Sequence, residues 1–165
     1  MKILIPDYYY KDIQKIDINN LLKNGIKYLI IDLDNTLVGW DCPLPTEDVR
    51  LWFDKLNELG FDVCLTSNNN RERVELFAND LGLQFIYKAK KPLKRGFREA
   101  MSKMNVVDRT KVACIGDQLF TDVLGGNRMG ITTILVEPIA QKEFAWTMFV
   151  RKIETLFRNK LTRID

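Results

Sequence analysis

Residues 28–37 read YLIIDLDNTL. An aromatic and aliphatic run leads straight into Asp32, and a single leucine separates Asp32 from Asp34. Short apolar runs that stop abruptly at a polar residue are the pattern of strands buried on both faces, as in parallel sheets. The run predicts a strand over Tyr28 to Leu33. In extended backbone, residues two apart face the same side, so Asp32 and Asp34 should leave the strand's carboxyl end together.

Working outward, four more runs share this pattern: Val63 to Thr66, Phe85 to Tyr87, Val112 to Ile115 and Thr132 to Val136. Helical patterns lie between them. Thr46 can cap a helix that carries Glu47 and Asp48 in its first turn, buries Val49, Trp52, Phe53, Leu56 and Leu59, and stops at Gly60. Asn70 can cap a second, with Val74, Phe77, Ala78 and Leu81 on one face and Gly82 beyond its end. Phe97, Ala100, Met101 and Met104 mark a third, and a fourth is expected over Thr121 to Met129, closed by Gly130. Strands alternating with helices imply right-handed crossovers and a doubly wound, mostly parallel sheet in a three-layer, Rossmann-like α/β fold. With no linker or repeat, residues 1–165 are expected to form one domain. Its last part, 143–163, reads as an amphipathic helix with Phe149, Ile153, Leu156, Phe157 and Leu161 on one side.

The chain of 165 residues contains no histidine. That excludes Ser-His-Asp and Cys-His hydrolysis, HExxH proteases, histidine-ligated catalytic zinc and phosphohistidine chemistry. A formal charge of +3 gives no argument for nucleic acid. Cys42, Cys64 and Cys114 form no CxxC pair, and the last two sit in apolar runs, as buried thiols in a reducing compartment would. No run reaches the length of a membrane span, and the N-terminal apolar stretch is too short for a signal peptide, so a cytoplasmic location is expected.

In doubly wound sheets, ligands bind at the carboxyl ends of the strands. Polar clusters stand at those positions here: Ser67-Asn68 after the second run, Lys90-Lys91-Pro92 before the third helix, and Gly116-Asp117 with Asp122 after the fourth run. Taken singly, Ser67-Asn68 could be a helix cap, Lys91 a solvated cation, and Asp117 or Asp122 a cap. Together with Asp32 and Asp34 they deliver carboxylates, a hydroxyl and a cation to one rim.

The segments DLDNTL, the serine of TSNN, the lysine of KKP, and GDQLFTD resemble, in order, the four motifs of the haloacid dehalogenase (HAD) superfamily. Leu4-Ile5-Pro6-Asp7, DLDNTLVGWD, SNNN, KKP, GDQLFTDVLGGNRMG and TILVEPIA look like the bacterial YqeG family, a subfamily IIIA branch similar to mitochondrial phosphatidylglycerophosphate phosphatases. The resemblance implies a HAD-like fold and Mg²⁺-dependent hydrolysis of a phosphomonoester through an aspartyl-phosphate. It assigns Asp32 as nucleophile and Asp34 as general acid and then base. Ser67, Asn68 and Lys91 would bind the phosphate. Asp32, Asp117 and, through its main-chain carbonyl, Asp34 would hold the metal, and Asp122 would orient Lys91 or a metal-bound water.

Neither the Thr36–Ser67 interval nor the Ser67–Lys91 interval has room for a cap domain, so the fold should be capless and its site open. An open site suits a phosphorylated substrate that is large or presented on a surface, such as a lipid headgroup at the cytoplasmic membrane face. Lys88, Lys90, Lys91, Lys94, Arg95 and Arg98 form a basic stretch that could meet an anionic surface or a diphosphorylated headgroup, or could be a solvated helix. The C-terminal helix and the run Tyr8-Tyr9-Tyr10 could pack on the core or lie at a lipid interface. Two other readings stay open: a phosphatase of a different large or soluble substrate, and a HAD-like interaction module in nucleic-acid or ribosome-associated assembly. The sequence also leaves homo-oligomer formation open.

Overall fold

In a computed structural model, the described residues are 2–139, 155, 157–159 and 161–164. Six strands, β1 Tyr8–Tyr10, β2 Tyr28–Ile31, β3 Asp62–Thr66, β4 Gln84–Ile86, β5 Val112–Gly116 and β6 Thr132–Val136, form one parallel sheet in the order β1-β6-β5-β2-β3-β4. The opening run is one of its two central strands, with Ile30 in register with Cys64 on one side and Cys114 on the other. Its alternation sorts residues into the two interior layers. Leu29 and Ile31 join the cluster that holds Trp52 and Phe77, whereas Ile30 joins Cys64, Cys114 and Phe97 on the opposite face.

The helices are α1 Ile18–Lys23, α2 Glu47–Glu58, α3 Arg71–Leu81, α4 Lys94–Lys103 and α5 Leu124–Met129. The expected caps form: the Thr46 side chain accepts from the Val49 N–H and that of Asn70 from the Arg73 N–H. Gly82 ends α3 in the left-handed conformation, at φ 66°. Buried in apolar surroundings, the Cys64 thiol is pushed up to about 11 and Cys114 well above its ordinary value, as befits inert core residues.

Several expectations need correction. β2 ends at Ile31 rather than Leu33, because Asn35 turns into the left-handed region at φ 64° and its N–H bonds Val38 O at 2.7 Å. The fourth helix is not continuous from Thr121. A π-helical turn, Leu119–Val123, precedes α5 and turns Asp122 into the interior. β1 and α1 carry little periodic signal, being three and six residues long. Most of the expected terminal helix, including Phe149, Ile153 and Leu156, lies outside the described residues. Thr155, Phe157 and Arg158 are helical, but the helix does not reach Arg163. Instead Ile164 pairs in parallel with Tyr10, extending the otherwise open edge of β1. Phe157 meets the Phe120 ring edge-on at 6.2 Å, and with Leu161 it packs on Tyr9, Leu119, Val123 and Leu135. The tyrosine run is thus an edge strand, with Tyr9 and Tyr10 buried.

α5 sits close to α4 because Gly125 has no side chain: a Cβ there would lie 2.3 Å from Phe97 Cε2. Helix propensity alone would favour Gly125→Ala by roughly 1 kcal/mol, but overpacking a buried ring costs about 1–3 kcal/mol. The variant should therefore melt at a lower temperature in a thermal scan, and an unchanged or raised midpoint would contradict this packing.

Candidate active site

β2 delivers Asp32 to the rim between β3 and β5, where its N–H continues the ladder by donating to Ile115 O at 2.9 Å. Its carboxylate is gripped from two sides. Lys91 Nζ donates to Asp32 Oδ1 at 2.6 Å, and the Thr36 hydroxyl lies 3.2 Å from Asp32 Oδ2 and 3.3 Å from Asp117 Oδ1. Lys91 also donates to Asp122 Oδ1 at 2.6 Å, so one ammonium bridges two carboxylates. All three residues of this bridge are buried.

The loops are built to hold that bridge. Asn68 accepts from the Lys91 N–H at 2.7 Å and donates to Lys91 O at 3.2 Å. The peptide that follows, Lys91–Pro92, is cis. Asp122 Oδ2 accepts from the Gln118 N–H at 3.3 Å and the Thr121 hydroxyl at 3.2 Å. Gly116 makes room for it, since a Cβ at that position would lie 2.2 Å from Asp122 Cγ. Ser67 Oγ accepts from the Asn69 N–H at 3.0 Å.

Asp34 has separate support. Its Oδ1 accepts from Arg73 Nε at 3.1 Å and its Oδ2 from Asn69 Nδ2 at 3.0 Å. Arg73 also donates to Pro43 O at 3.1 Å, tying the loop after β2 to α3.

Electrostatics separate the roles. Burial pushes the Asp32 carboxyl up to about 7, helped by the charge of Asp122 and opposed by Lys91. Burial alone would lower Lys91, but Asp122 and Asp32 together hold its ammonium above the usual lysine range, so it stays charged. Oxygens of Asp32, Asp117 and Asp122 lie within 4.8 Å of one another, a donor set that fits a hard divalent cation. Such a cation would favour the ionised form of Asp32.

Asp32, Asp34, Ser67, Asn68 and Lys91 all line one cleft of about 360 Å³, with Trp40, Gln118 and Thr121. Asp117 and Asp122 stand behind them, fully or nearly fully buried. One expectation changes, and two placements are sharper than the sequence alone indicates. The Asn68 side chain is committed to the Lys91 main chain, which leaves the backbone N–H as the group of Asn68 that could meet a phosphate. Lys91 is not part of a surface basic patch, because its charge is spent inside the site. In the acidic cluster the third carboxylate is that of Asp122; the Asp34 carboxylate lies outside it.

Sequence reasoning gave no role to Thr36, Asn69 or Arg73. For Arg73 a signal existed: a cation in the first turn of a helix opposes the macrodipole and calls for a nearby carboxylate. Among the described residues no strand or helix crosses the cleft, and residues 32–46 run from β2 to α2 without either.

A buried aspartate bridged by lysine, with a second aspartate two residues on and further carboxylates behind, defines a carboxylate-based hydrolase on a Rossmann-like sheet. The chain belongs to the haloacid dehalogenase-like hydrolases, whose family model matches residues 9–130, and it is a phosphatase of that family. It is 44% identical over 162 residues to the probable phosphatase YqeG of Bacillus subtilis (strain 168), covering 98% of this chain and 94% of that one. It is 26% identical over 152 residues to phosphatidylglycerophosphate phosphatase 1 (chloroplastic/mitochondrial) of Arabidopsis thaliana, covering 86% of this chain and 43% of that longer protein. Two solved structures share the fold. An uncharacterized protein from Listeria monocytogenes serotype 4b has a TM-score of 0.56 at 16% identity, over 82% of this chain and all of that one. The cobalt-bound deoxy-D-mannose-octulosonate 8-phosphate phosphatase (YrbI) of Haemophilus influenzae has a TM-score of 0.53 at 16% identity, over 80% of this chain and 89% of that one.

Arg73 fixes the orientation of Asp34 from outside the cleft floor. If Asp34 carries the proton transfer that the family resemblance implies, a step that contributes on the order of 10²–10⁴ in rate, Arg73→Gln should forfeit about tenfold of it. The loss should fall on kcat for para-nitrophenyl phosphate with KM little changed. An unaltered kcat would show that Asp34 needs no such support.

Proposed function

We propose that this phosphatase removes a terminal phosphate from a phosphomonoester presented at a lipid surface, with phosphatidylglycerophosphate as the substrate. In this reading the Asp32 carboxylate attacks phosphorus in line, forming a P–O bond to Asp32 as the ester P–O bond breaks. Asp34 gives its proton to the departing alkoxide. It then takes one from the water that attacks the aspartyl-phosphate, releasing inorganic phosphate and restoring Asp32. Ser67 and Lys91 compensate the charge on the phosphoryl oxygens, the main demand of a loose, anionic transition state. The acidic cluster of Asp32, Asp117 and Asp122, joined by the Asp34 carbonyl, would hold Mg²⁺, which when bound offsets charge between carboxylate and phosphate.

The observation that carries the lipid assignment is the set of exposed apolar residues at and beside the cleft. Trp40 lines the cleft yet is 52% exposed. Leu93, two residues past Lys91, and Ile139, whose N–H donates to Asn35 O at 3.0 Å, are 51% and 54% exposed. Exposed aromatic and aliphatic residues around a polar site suit a bilayer interface. The phosphatidylglycerophosphate phosphatase of Arabidopsis, similar over most of this chain, supports the same headgroup. Among the described residues no helix is long and apolar enough to cross a membrane, so contact would be peripheral.

With Mg²⁺, the protein should release phosphate from phosphatidylglycerophosphate in mixed micelles at least tenfold faster, as kcat/KM, than from sugar phosphates or nucleotides, and chelation should abolish release. Faster turnover of a soluble metabolite would reject the lipid assignment.

A further inference from the structure

A second cleft, of about 470 Å³, lies outside edge strand β4. It is larger than the catalytic one and differs in chemistry. Arg71, Lys88, Lys90, Arg95 and Lys103 line it against one carboxylate, that of Glu99. Ion pairs quench part of this charge: Arg95 Nε donates to Glu99 Oε1 at 2.7 Å, and Arg71 Nε to Glu75 Oε2 at 2.9 Å. Lys103 Nζ is spent on Phe85 O at 3.0 Å. Lys88 and Lys90 are exposed and, among the described residues, pair with no carboxylate.

These two lysines are held in place at conformational cost. Both adopt the left-handed region, at φ 45° and 55°, which disfavours a residue with a side chain. The residue between them, Ala89, is buried against α4, where a Cβ on Gly96 would lie 2.7 Å from that of Ala89. The segment is bolted to the phosphate-binding loop: the Lys88 N–H donates to Asn69 O at 2.9 Å and the Ala89 N–H to Ser67 O at 3.0 Å. Lys90 is followed directly by Lys91. Cα atoms of consecutive residues stand about 3.8 Å apart across a trans peptide, so one strained turn sends adjacent lysines into the two clefts. Strained backbone of this kind persists where its surroundings fix it, and it clusters at ligand clamps.

We infer that the cleft outside β4 is a second anion site, in which Lys88 and Lys90 bind a non-scissile phosphate of the substrate while the terminal phosphate reacts at Asp32. This rests on the phosphatase reading and adds a requirement to it: the preferred substrate carries two phosphates a few bonds apart. The hydrogen bonds from the Lys88 and Ala89 N–H groups to Asn69 and Ser67 hold the two clefts in a fixed relation to each other. Because the two lysines are exposed, their contribution is screened by salt.

The test compares substrates that differ only in the second phosphate. Propane-1,3-diol bisphosphate has the three-carbon spacing of the phosphatidylglycerophosphate headgroup without its lipid, and propyl phosphate lacks the second phosphate. Wild-type kcat/KM should favour the bisphosphate by about tenfold or more at low salt. The Lys88→Gln/Lys90→Gln double variant should remove that preference, with para-nitrophenyl phosphate turnover unchanged and the melting temperature retained. Short-chain phosphatidylglycerophosphate should fall in parallel. No wild-type preference, or equal effects of the variant on mono- and bisphosphates, would overturn the proposal. So would a variant that loses only binding to phosphatidylglycerol vesicles, because the lysines would then serve bilayer phosphates and not the substrate's own. Rejection of the lipid substrate, with the soluble preference intact, would leave this site standing and remove only the lipid assignment.

Discussion

One buried ammonium organises the catalytic rim. Lys91 Nζ stands 2.6 Å from both Asp32 and Asp122, and the side chains of all three are almost wholly out of water. Charges so placed are costly to bury and costlier to leave alone: removing one partner of a buried pair costs about 3–5 kcal/mol because the other keeps its charge without compensation. The surroundings fit that demand. Asn68 clamps the Lys91 main chain, Gln118 and Thr121 hold the far oxygen of Asp122, and Gly116 leaves room for that side chain. Three strand ends and the loop after β4 are thereby locked into one constellation.

The same bridge is not enough to accept a phosphate. Among the described residues, Lys91 pairs with Asp32 and Asp122 and Arg73 with Asp34, and Asp117 adds a buried carboxylate beside Asp32. A dianionic ester entering such a site brings further negative charge beside these carboxylates, and burial already pushes the Asp32 carboxyl up to about 7. Asp32, Asp117 and Asp122 would hold a divalent cation through oxygen ligands alone, and that charge would relieve both problems. A chain without histidine can run this chemistry because no step of it requires imidazole.

Much of this was legible in the sequence wherever the signal was local. The run at Tyr28–Ile31 specified a doubly buried strand, and it is one of the two central ones. Caps at Thr46 and Asn70 were readable because capping depends on a few neighbouring residues. What escaped was long-range. Tyr8–Tyr10 becomes a strand through pairing with β6, more than a hundred residues on, and Asp122 turns inward because Lys91 awaits it. The Thr121–Met129 pattern could not show a π-helical turn whose purpose is to aim one carboxylate. Arg73 reads as a helix residue until Asp34 is seen beside it.

The central claim is that Asp32, held by Lys91, is the nucleophile and that Asp34 serves proton transfer. It is tested most directly by acid-quenching the Asp34→Asn variant during reaction with para-nitrophenyl phosphate and Mg²⁺ and mapping the phosphorylated peptide by mass spectrometry. With hydrolysis of the aspartyl-phosphate slowed, a single phosphate should be found on Asp32. A phosphate on any other residue, or none while turnover continues, would contradict the account.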